Sequence, residues 1–320
     1  MSSQPRHFDI HKSTYLAHTE RTLYKSSDNP KKTSKMSVTE HVVEASTPST
    51  LPPPFIHVDG VPNFRDIGGY PITDLLSTRR NFVYRSAVPT RITPTGLQTL
   101  TQDLQIATVY DLRSNAELRK DPIASSPLDT HDSVTVLHTP VFPERDSSPE
   151  QLAKRYANYM SANGSEGFVA AYAEILRDGV DAYRKVFEHV RDRPRDAFLV
   201  HCTGGKDRTG VLVALLFLVA GVKDRDLIAE EYSLTEKGFA AVIKADLAEK
   251  IIKDMGVDQA NRAGVERLLS ARKENMSATL EYIEKQFGGA EGYLRDQLGF
   301  SDEDVEQIRK SLVVEDKGLF

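Results

Sequence analysis

Cysteine is almost absent from this sequence: Cys202 is the only one among 320 residues. A single cysteine cannot form a disulfide within the chain, which excludes the small secreted scaffolds that disulfides hold together. We therefore expect a cytoplasmic protein, because the cytosol keeps a lone thiol reduced. Tryptophan is absent altogether, which removes any motif built on that side chain.

Long apolar runs and a large excess of one charge are also lacking. The longest apolar stretch, residues 210–222, is shorter than the roughly 20 residues that cross a bilayer, so we predict a buried core helix there and no integral membrane segment. The formal net charge is −5, without a dominant basic block or a zinc-type spacing of cysteine and histidine. Nucleic acid is therefore not an expected partner.

The composition changes at about residue 55. Residues 1–54 are rich in Ser, Thr, Lys and His and end in consecutive prolines. They contain too little apolar surface to offset the entropy of ordering. We predict a disordered tail over 1–54 and a single domain over 55–320.

Short β-branched or aromatic runs alternate with longer helical patterns in that domain. Strands separated by helices are typical of α/β proteins, so we predict a central, largely parallel sheet flanked by helices. Beyond Val222 the pattern is mostly helical, and we expect these helices to pack on the same core. The predicted strands are residues 82–85, 106–110, 134–137 and 197–200, and the predicted helices before Cys202 are 149–163 and 167–191.

The segment His201–Gly210 carries the most specific pattern in the chain, His-Cys-Thr-Gly-Gly-Lys-Asp-Arg-Thr-Gly. It follows a predicted strand and opens the predicted apolar helix. A glycine-containing loop at a helix N-terminus points successive backbone N–H groups at one position and so binds an anion. The same field, together with Arg208 and Lys206, is expected to stabilise the thiolate of Cys202, the form that attacks phosphorus.

The other polar positions of this loop have expected roles as well. Arg208 can hold two phosphate oxygens with its planar guanidinium, and the Thr209 hydroxyl can donate to the cysteine sulfur. A nucleotide-binding P-loop is disfavoured, because Asp207 stands where magnesium binding needs Ser or Thr. A lone buried cysteine is the simpler interpretation, but Gly, Lys, Arg and Thr at these spacings favour catalysis. The predicted phosphate-binding residues are Thr203, Gly204, Gly205, Lys206 and Thr209, with Cys202 as nucleophile and Arg208 as phosphate clamp.

Cys-x5-Arg followed by Thr is the signature of the protein tyrosine phosphatase superfamily. The loop most resembles the atypical tyrosine and lipid phosphatase branch of bacteria and fungi. Residues 63–69, 84–87, 111–113 and 231–235 resemble the same branch, and the resemblance covers about residues 55–315. It implies a phosphatase-type phosphate loop between a strand and a buried helix. It also implies phosphomonoester hydrolysis through a phosphocysteine intermediate, with no metal or other cofactor.

The general acid is harder to assign. The best-known tyrosine phosphatases carry it as an aspartate on a Trp-Pro-Asp loop, which a chain without tryptophan lacks in its usual form. Asp111 ends a predicted strand at the carboxyl edge of the sheet and ranks first. Asp207 lies in the phosphate loop and ranks second, and Asp146 in another predicted loop ranks last. The alternative for Asp111 is a structural carboxylate paired with Arg113 or Arg65.

Phosphotyrosine in proteins is the expected substrate, with phosphoserine and phosphothreonine as further ones. Lys206 adds a second cation beside the phosphate unless it is only a solvated loop charge. Some inositol-lipid phosphatases place a basic residue similarly, so a phosphoinositide phosphatase is the alternative. Two other functions are disfavoured by the intact Cys202, Arg208 and Thr209: a catalytically silent module that binds phosphorylated partners, and a sulfur-transferring enzyme. His201 is expected to orient the loop rather than to act on substrate.

Overall fold

The computed structural model describes residues 51–121, 126–142, 149–161, 164–240 and 262–315. The predicted tail lies outside these residues except for 51–54, so the tail and the single domain over 55–320 stay predictions. The predicted helix 149–163 ends at Met160, earlier than expected, and residues 162–163 and the candidate acid Asp146 lie outside the described residues.

The central sheet is built from short strands. They are β1 Arg65–Asp66, β4 Val83–Ser86, β5 Thr108–Asp111, β6 Thr135–His138 and β7 Phe198–His201. Their order is β1-β4-β7-β5-β6, in which β4, β7, β5 and β6 run parallel and β1 pairs antiparallel with β4. This arrangement confirms the predicted α/β fold with a largely parallel sheet. The four predicted strands are present, each beginning one or two residues later than expected.

A second sheet is not predicted by the sequence. It consists of β2 Pro71–Thr73, β3 Leu76–Thr78 and β8 Val313–Glu315, with β3 in the middle and antiparallel to both neighbours. These strands are too short for an alternation of polar and apolar residues to be recognised in the sequence. Moreover, β8 comes from the far end of the described chain, so no local pattern links it to β3.

Helices cover the central sheet and form most of the C-terminal part. Successive strand residues point to opposite faces, so Phe198 and Val200 join one core cluster and Leu199 joins another. The helices are α1 Pro94–Gln98, α2 Asn115–Lys120, α3 Pro149–Met160, α4 Glu166–Asp178, α5 Val180–Asp192, α6 Asp207–Ala220, α7 Arg225–Ala240, α8 Arg262–Leu269, α9 Lys273–Phe287, α10 Gly289–Asp296 and α11 Asp302–Leu312, with a π-helical turn at Thr99–Asp103 and a 3₁₀ turn at Pro127–Thr130.

Helix α6 is buried on almost every side. From Thr209 to Ala220 all residues except Leu218 are buried, which confirms the predicted core helix. Helices α4, α7, α10 and α11 and strand β7 pack against it. Within the described ranges, every helix is too short or too polar to traverse a bilayer.

The C-terminal helices join the core around α6, as predicted. Ile228 of α7, Met276 and Ile283 of α9 and Ile308 of α11 belong to the same cluster as the apolar residues of α6. This packing brings α7 against the loop that precedes α6.

The predicted helix 167–191 is two helices, α4 and α5, which separate at Gly179. A Cβ at this position would lie 2.6 Å from the carbonyl oxygen of Ile175 and 3.3 Å from a methyl group of Val141. Glycine lets the chain turn in this tight space, and its low helix propensity favours a break there. Apolar residues on both sides of the break are buried, which is why the sequence predicts one continuous helix.

Candidate active site

The loop between β7 and α6 begins at Cys202 and ends with Arg208 in the first turn of α6. It lies at the carboxyl end of the parallel strands, the edge at which α/β proteins place their sites. Gly205 adopts a φ of +61°, and a Cβ there would lie 2.0 Å from the carbonyl oxygen of Ser86. This position requires glycine, which explains the second glycine of the motif.

Two side chains hold carbonyl groups of the loop. Arg85 Nη2 donates to the Gly205 oxygen at 2.6 Å, and Asn63 Nδ2 donates to the Gly204 oxygen at 3.1 Å. In a trans peptide the N–H points away from its C=O. The N–H groups of Gly205 and Lys206 therefore point away from these side chains, as an anion-binding nest requires.

Arg85 belongs to a buried ion-pair network that sequence reasoning misses. Glu231 Oε1 accepts from Arg65 Nε at 2.6 Å, and its Oε2 accepts from Arg85 Nη1 at 2.5 Å. Burial opposes ionisation of this carboxyl group, but the charges of Arg65 and Arg85 outweigh it and lower the pKa of Glu231. The signal in the sequence is that all three residues fall within segments that resemble the phosphatase branch.

Arg208 is fixed by Glu117 of α2, which sequence reasoning also misses. Arg208 Nη1 donates to Oε2 at 2.6 Å and Nη2 donates to Oε1 at 2.7 Å, a bidentate pair. Thr203 Oγ1 donates to Oε1 at 2.5 Å. Burial opposes ionisation, but Arg208 outweighs it and holds the pKa of Glu117 well below its usual range. The sequence signal that could have singled out Glu117 is local: Ser114 and Glu117, three residues apart, form a capping box at the start of α2.

The guanidinium of Arg208 keeps one edge for a ligand. Both contacts with Glu117 use the terminal nitrogens, and no acceptor among the described residues binds Nε. Burial disfavours the charge of Arg208, but Glu117 outweighs this effect and raises the pKa of Arg208 well above its usual value. A permanent cation with a free N–H edge is what binding of phosphate oxygens needs.

Asp207 is the first residue of α6, and its carboxylate is held at one oxygen. Tyr172 Oη donates to Oδ1 at 2.8 Å, and Lys206 Nζ lies 3.4 Å from the same oxygen. No donor among the described residues binds Oδ2. The Asp207 side chain is 25% exposed, so a bound ester can approach it.

Lys206 binds main-chain carbonyls rather than solvent. Its Nζ donates to the oxygen of Leu268 at 2.6 Å and to that of Ser270 at 2.9 Å, at the end of α8. The ammonium also lies 5.2 Å from the centre of the Phe168 ring, a cation–π distance. A solvated loop charge is therefore the wrong description of Lys206, and its contact with substrate phosphate stays a prediction.

Asp111 is closely paired with Arg113. The Nε of Arg113 donates to both carboxylate oxygens at 3.0 Å, and its Nη2 donates to Oδ2 at 2.7 Å. Burial opposes ionisation of Asp111, but His201 and Arg113 outweigh it and lower the pKa of this carboxyl group. These contacts match the structural alternative, in which Asp111 is a carboxylate paired with Arg113. The role of Asp111 as general acid stays a prediction.

The remaining loop side chains are buried. Cys202 is 2% exposed. Thr209 Oγ1 is buried and has no hydrogen-bond partner among the described residues, so its hydroxyl is free for the predicted donation to sulfur. Nδ1 of His201 lies 3.1 Å from the Cys202 carbonyl oxygen, and burial lowers the pKa of His201. The contact between His201 and the Cys202 carbonyl oxygen fits the expected role of His201 in orienting the loop.

Comparison with known proteins agrees with this geometry. Residues 56–314 match the sequence model of the tyrosine phosphatase family. The chain is 27% identical over 286 residues to the triple specificity protein phosphatase PtpB of Mycobacterium tuberculosis, which covers 79% of this chain and 97% of the relative. It is 30% identical over 146 residues to a tyrosine-protein phosphatase of Nostoc commune, which covers 44% of this chain and 48% of that relative.

Proposed function

The chain belongs to the tyrosine phosphatase family, and we propose that this hydrolase acts on phosphotyrosine in proteins through a phosphocysteine intermediate at Cys202. One observation carries the proposal: Cys202 and Arg208 lie at the two ends of a single loop. Asn63 and Arg85 donate hydrogen bonds to carbonyl groups of this loop. The loop thus offers a nucleophile, a fixed cation and inward N–H groups to the same phosphate.

The first step transfers the phosphoryl group to sulfur. The Cys202 thiolate attacks phosphorus, the S–P bond forms, and the P–O bond to the leaving group breaks. Arg208 and the loop N–H groups stabilise the charge on the equatorial oxygens in the transition state. Asp207 donates its proton to the departing oxygen, so the leaving group departs as a neutral hydroxyl compound.

The second step returns the enzyme to its starting state. The Asp207 carboxylate accepts a proton from water, whose oxygen attacks phosphorus, and the S–P bond breaks. Inorganic phosphate leaves, and Cys202 is again a thiolate. The Thr209 hydroxyl, which is free among the described residues, donates to the sulfur and makes it a better leaving group.

The contacts of the two candidate acids favour Asp207 over Asp111. Both oxygens of Asp111 accept hydrogen bonds from Arg113, and the side chain is 6% exposed. Such a carboxylate is held ionised and has no proton to give. Asp207 is four times as exposed, with a side-chain exposure of 25%, and no donor among the described residues binds its Oδ2. Asparagine at each position separates them: kcat/KM falls in Asp207→Asn and stays near normal in Asp111→Asn if the assignment is correct.

Phosphoserine, phosphothreonine and phosphoinositides are further candidate substrates. The name of the mycobacterial relative, a triple specificity protein phosphatase, supports action on more than one class of phosphate ester. Lys206 supports a phosphoinositide if its ammonium exchanges the carbonyls of Leu268 and Ser270 for a second phosphate. We place the reaction in the cytoplasm, where the lone thiol stays reduced.

A substrate panel tests the proposal. Purified full-length chain is assayed with phosphotyrosine, phosphoserine and phosphothreonine peptides and with a short-chain phosphoinositide, and Cys202→Ser is the control. We expect release of phosphate from the phosphotyrosine peptide and none from Cys202→Ser. A native protein that binds the phosphopeptide but hydrolyses none of the panel would establish the silent binding module instead. Release from the phosphoinositide alone would establish the lipid phosphatase.

A further inference from the structure

A pair of buried tyrosines is hydrogen-bonded to Asp207. Tyr172 of α4 donates to Asp207 Oδ1 at 2.8 Å, and the hydroxyls of Tyr172 and Tyr232 of α7 lie 2.7 Å apart. The tyrosines are 0% and 1% exposed. A chain of two hydrogen bonds therefore links α7 through α4 to one carboxyl oxygen of Asp207 in the first turn of α6.

The direction of the hydrogen bonds follows from the donors present. A phenol has a single hydrogen, and that of Tyr172 is directed at Asp207, so Tyr232 donates to Tyr172. Hydrogen bonds in such a chain polarise one another, and this chain ends on one oxygen of the Asp207 carboxyl group. Burial, followed by the charge of Asp207, raises the pKa of Tyr172 well above its usual value. Burial likewise raises the pKa of Tyr232. Both phenols therefore stay protonated and act as donors.

The pair has a specific geometric effect on the acid. Tyr172 fixes Oδ1, which sets the rotation of the carboxyl group and leaves Oδ2 without a donor in the part of the chain that the structure describes. An acid carried on a separate loop can be aligned when that loop closes, but Asp207 belongs to a helix and has only its side-chain torsions to adjust. A proton donor contributes only when it is held within hydrogen-bond distance of the leaving oxygen.

From this geometry we infer that Tyr172, supported by Tyr232, is a positioning residue that presents Asp207 Oδ2 to the leaving oxygen. The inference rests on the proposed role of Asp207 and deepens it. The pair then favours esters with poor leaving groups, such as phosphotyrosine, because they depend most on protonation. Esters with good leaving groups depart without help and gain little from the pair.

Aryl phosphates of different leaving-group quality test the inference. We measure kcat/KM of the full chain with phenyl phosphate, a poor leaving group, and p-nitrophenyl phosphate, a good one. In Tyr172→Phe the value falls about tenfold for phenyl phosphate and less than about twofold for p-nitrophenyl phosphate. Tyr232→Phe gives a smaller loss in the same direction. Tyr293→Phe is the matched control, because its buried hydroxyl donates to the Leu176 carbonyl at 2.5 Å, away from Asp207.

A double variant separates positioning from a merely structural role. If Tyr172 acts through Asp207, Tyr172→Phe has no further effect in the Asp207→Asn background. An equal loss for both aryl phosphates, or a loss that adds fully to that of Asp207→Asn, would overturn the inference. The measurement distinguishes failure of the positioning role from failure of the acid assignment. If Asp207→Asn steepens the dependence of kcat/KM on the leaving group and Tyr172→Phe does not, only the positioning role of Tyr172 is refuted. When Asp207→Asn does not steepen it, the acid assignment itself is wrong and the inference is overturned with it.

Discussion

Replacing Glu231 by glutamine tests whether the phosphate loop depends on a buried ion-pair network. Glu231 binds Arg65 and Arg85 at 2.6 and 2.5 Å, and the side chains of both arginines are 0% exposed. Glutamine keeps the size of the side chain but removes its charge. It also turns an amide NH₂ toward one guanidinium group. Two buried cations are then left without a counter-charge among the described residues.

The expected loss is large because the charges are desolvated. Removing one partner of a buried ion pair costs about 3–5 kcal/mol. For a domain of this size each kcal/mol lowers Tm by about 2–4 °C, so Glu231→Gln is expected to lower Tm by roughly 6–20 °C. Catalysis falls as well, because Arg85 also donates to the Gly205 oxygen and helps to hold the loop.

Glu230→Gln is the matched control. Glu230 is the neighbouring residue, 55% exposed, and its pair with Lys273 lies on the surface. Exposed pairs contribute about 0–1 kcal/mol, so this variant should unfold close to the wild type. Urea denaturation and kcat/KM are measured for both variants. A Glu231→Gln protein that loses no more stability than Glu230→Gln would refute the reasoning.

Acid provides an independent check of the same network. The folded-state pKa of Glu231 lies below its ordinary value, so its contribution to stability is present above the unfolded pKa of about 4.3 and is lost as the pH falls toward the folded value. The free-energy gap between wild type and Glu231→Gln should therefore be constant from about pH 7 to 5 and shrink below about pH 4.

Two further predictions concern the loop itself. Gly205→Ala should lower kcat/KM about tenfold to a hundredfold. Residue 205 has a φ of +61°, and a Cβ there would lie 2.0 Å from the carbonyl oxygen of Ser86. Gly204→Ala, where the nearest atom is a Phe239 ring carbon at 3.4 Å, should stay within about threefold; equal losses would contradict this account. Lys206→Met should cost about 1–3 kcal/mol and speed amide exchange in α8, because Nζ holds the Leu268 and Ser270 carbonyls. Unchanged exchange in α8 would show that the contact carries no stability.

The sequence predicts the loop between β7 and the buried helix α6 because the pattern that marks it is local. Cys202, Arg208 and the glycine that needs a positive φ all fall within residues 201–210, and the catalytic roles of Cys202 and Arg208 stay predictions. The four main strands follow from their composition in the same way. Their carboxyl ends could be assigned to one edge, and Asp111 and His201 do lie side by side in register.

Side-chain partners far apart in sequence could not be predicted. Glu117 lies 91 residues before Arg208, and Tyr172 lies 60 residues before Tyr232, so no local period connects either pair. The edge of the sheet locates the backbone of Asp111, but Arg113 takes its carboxylate, an outcome that the sequence left open as an alternative. Helix packing decided the position of Lys206, because the carbonyls that it binds lie at the end of α8 and just beyond it.

The network of Arg65, Arg85 and Glu231 also determines when activity can arise during synthesis. Glu231 follows Arg65 by 166 residues and Arg85 by 146, and it comes well after Cys202. A nascent chain that has released the whole phosphate loop but not α7 carries two arginines without their carboxylate and lacks Tyr232. Premature termination before α7 therefore yields a product with an intact signature motif and an unsupported loop. We therefore expect hydrolysis only from chains that have been completed through α7.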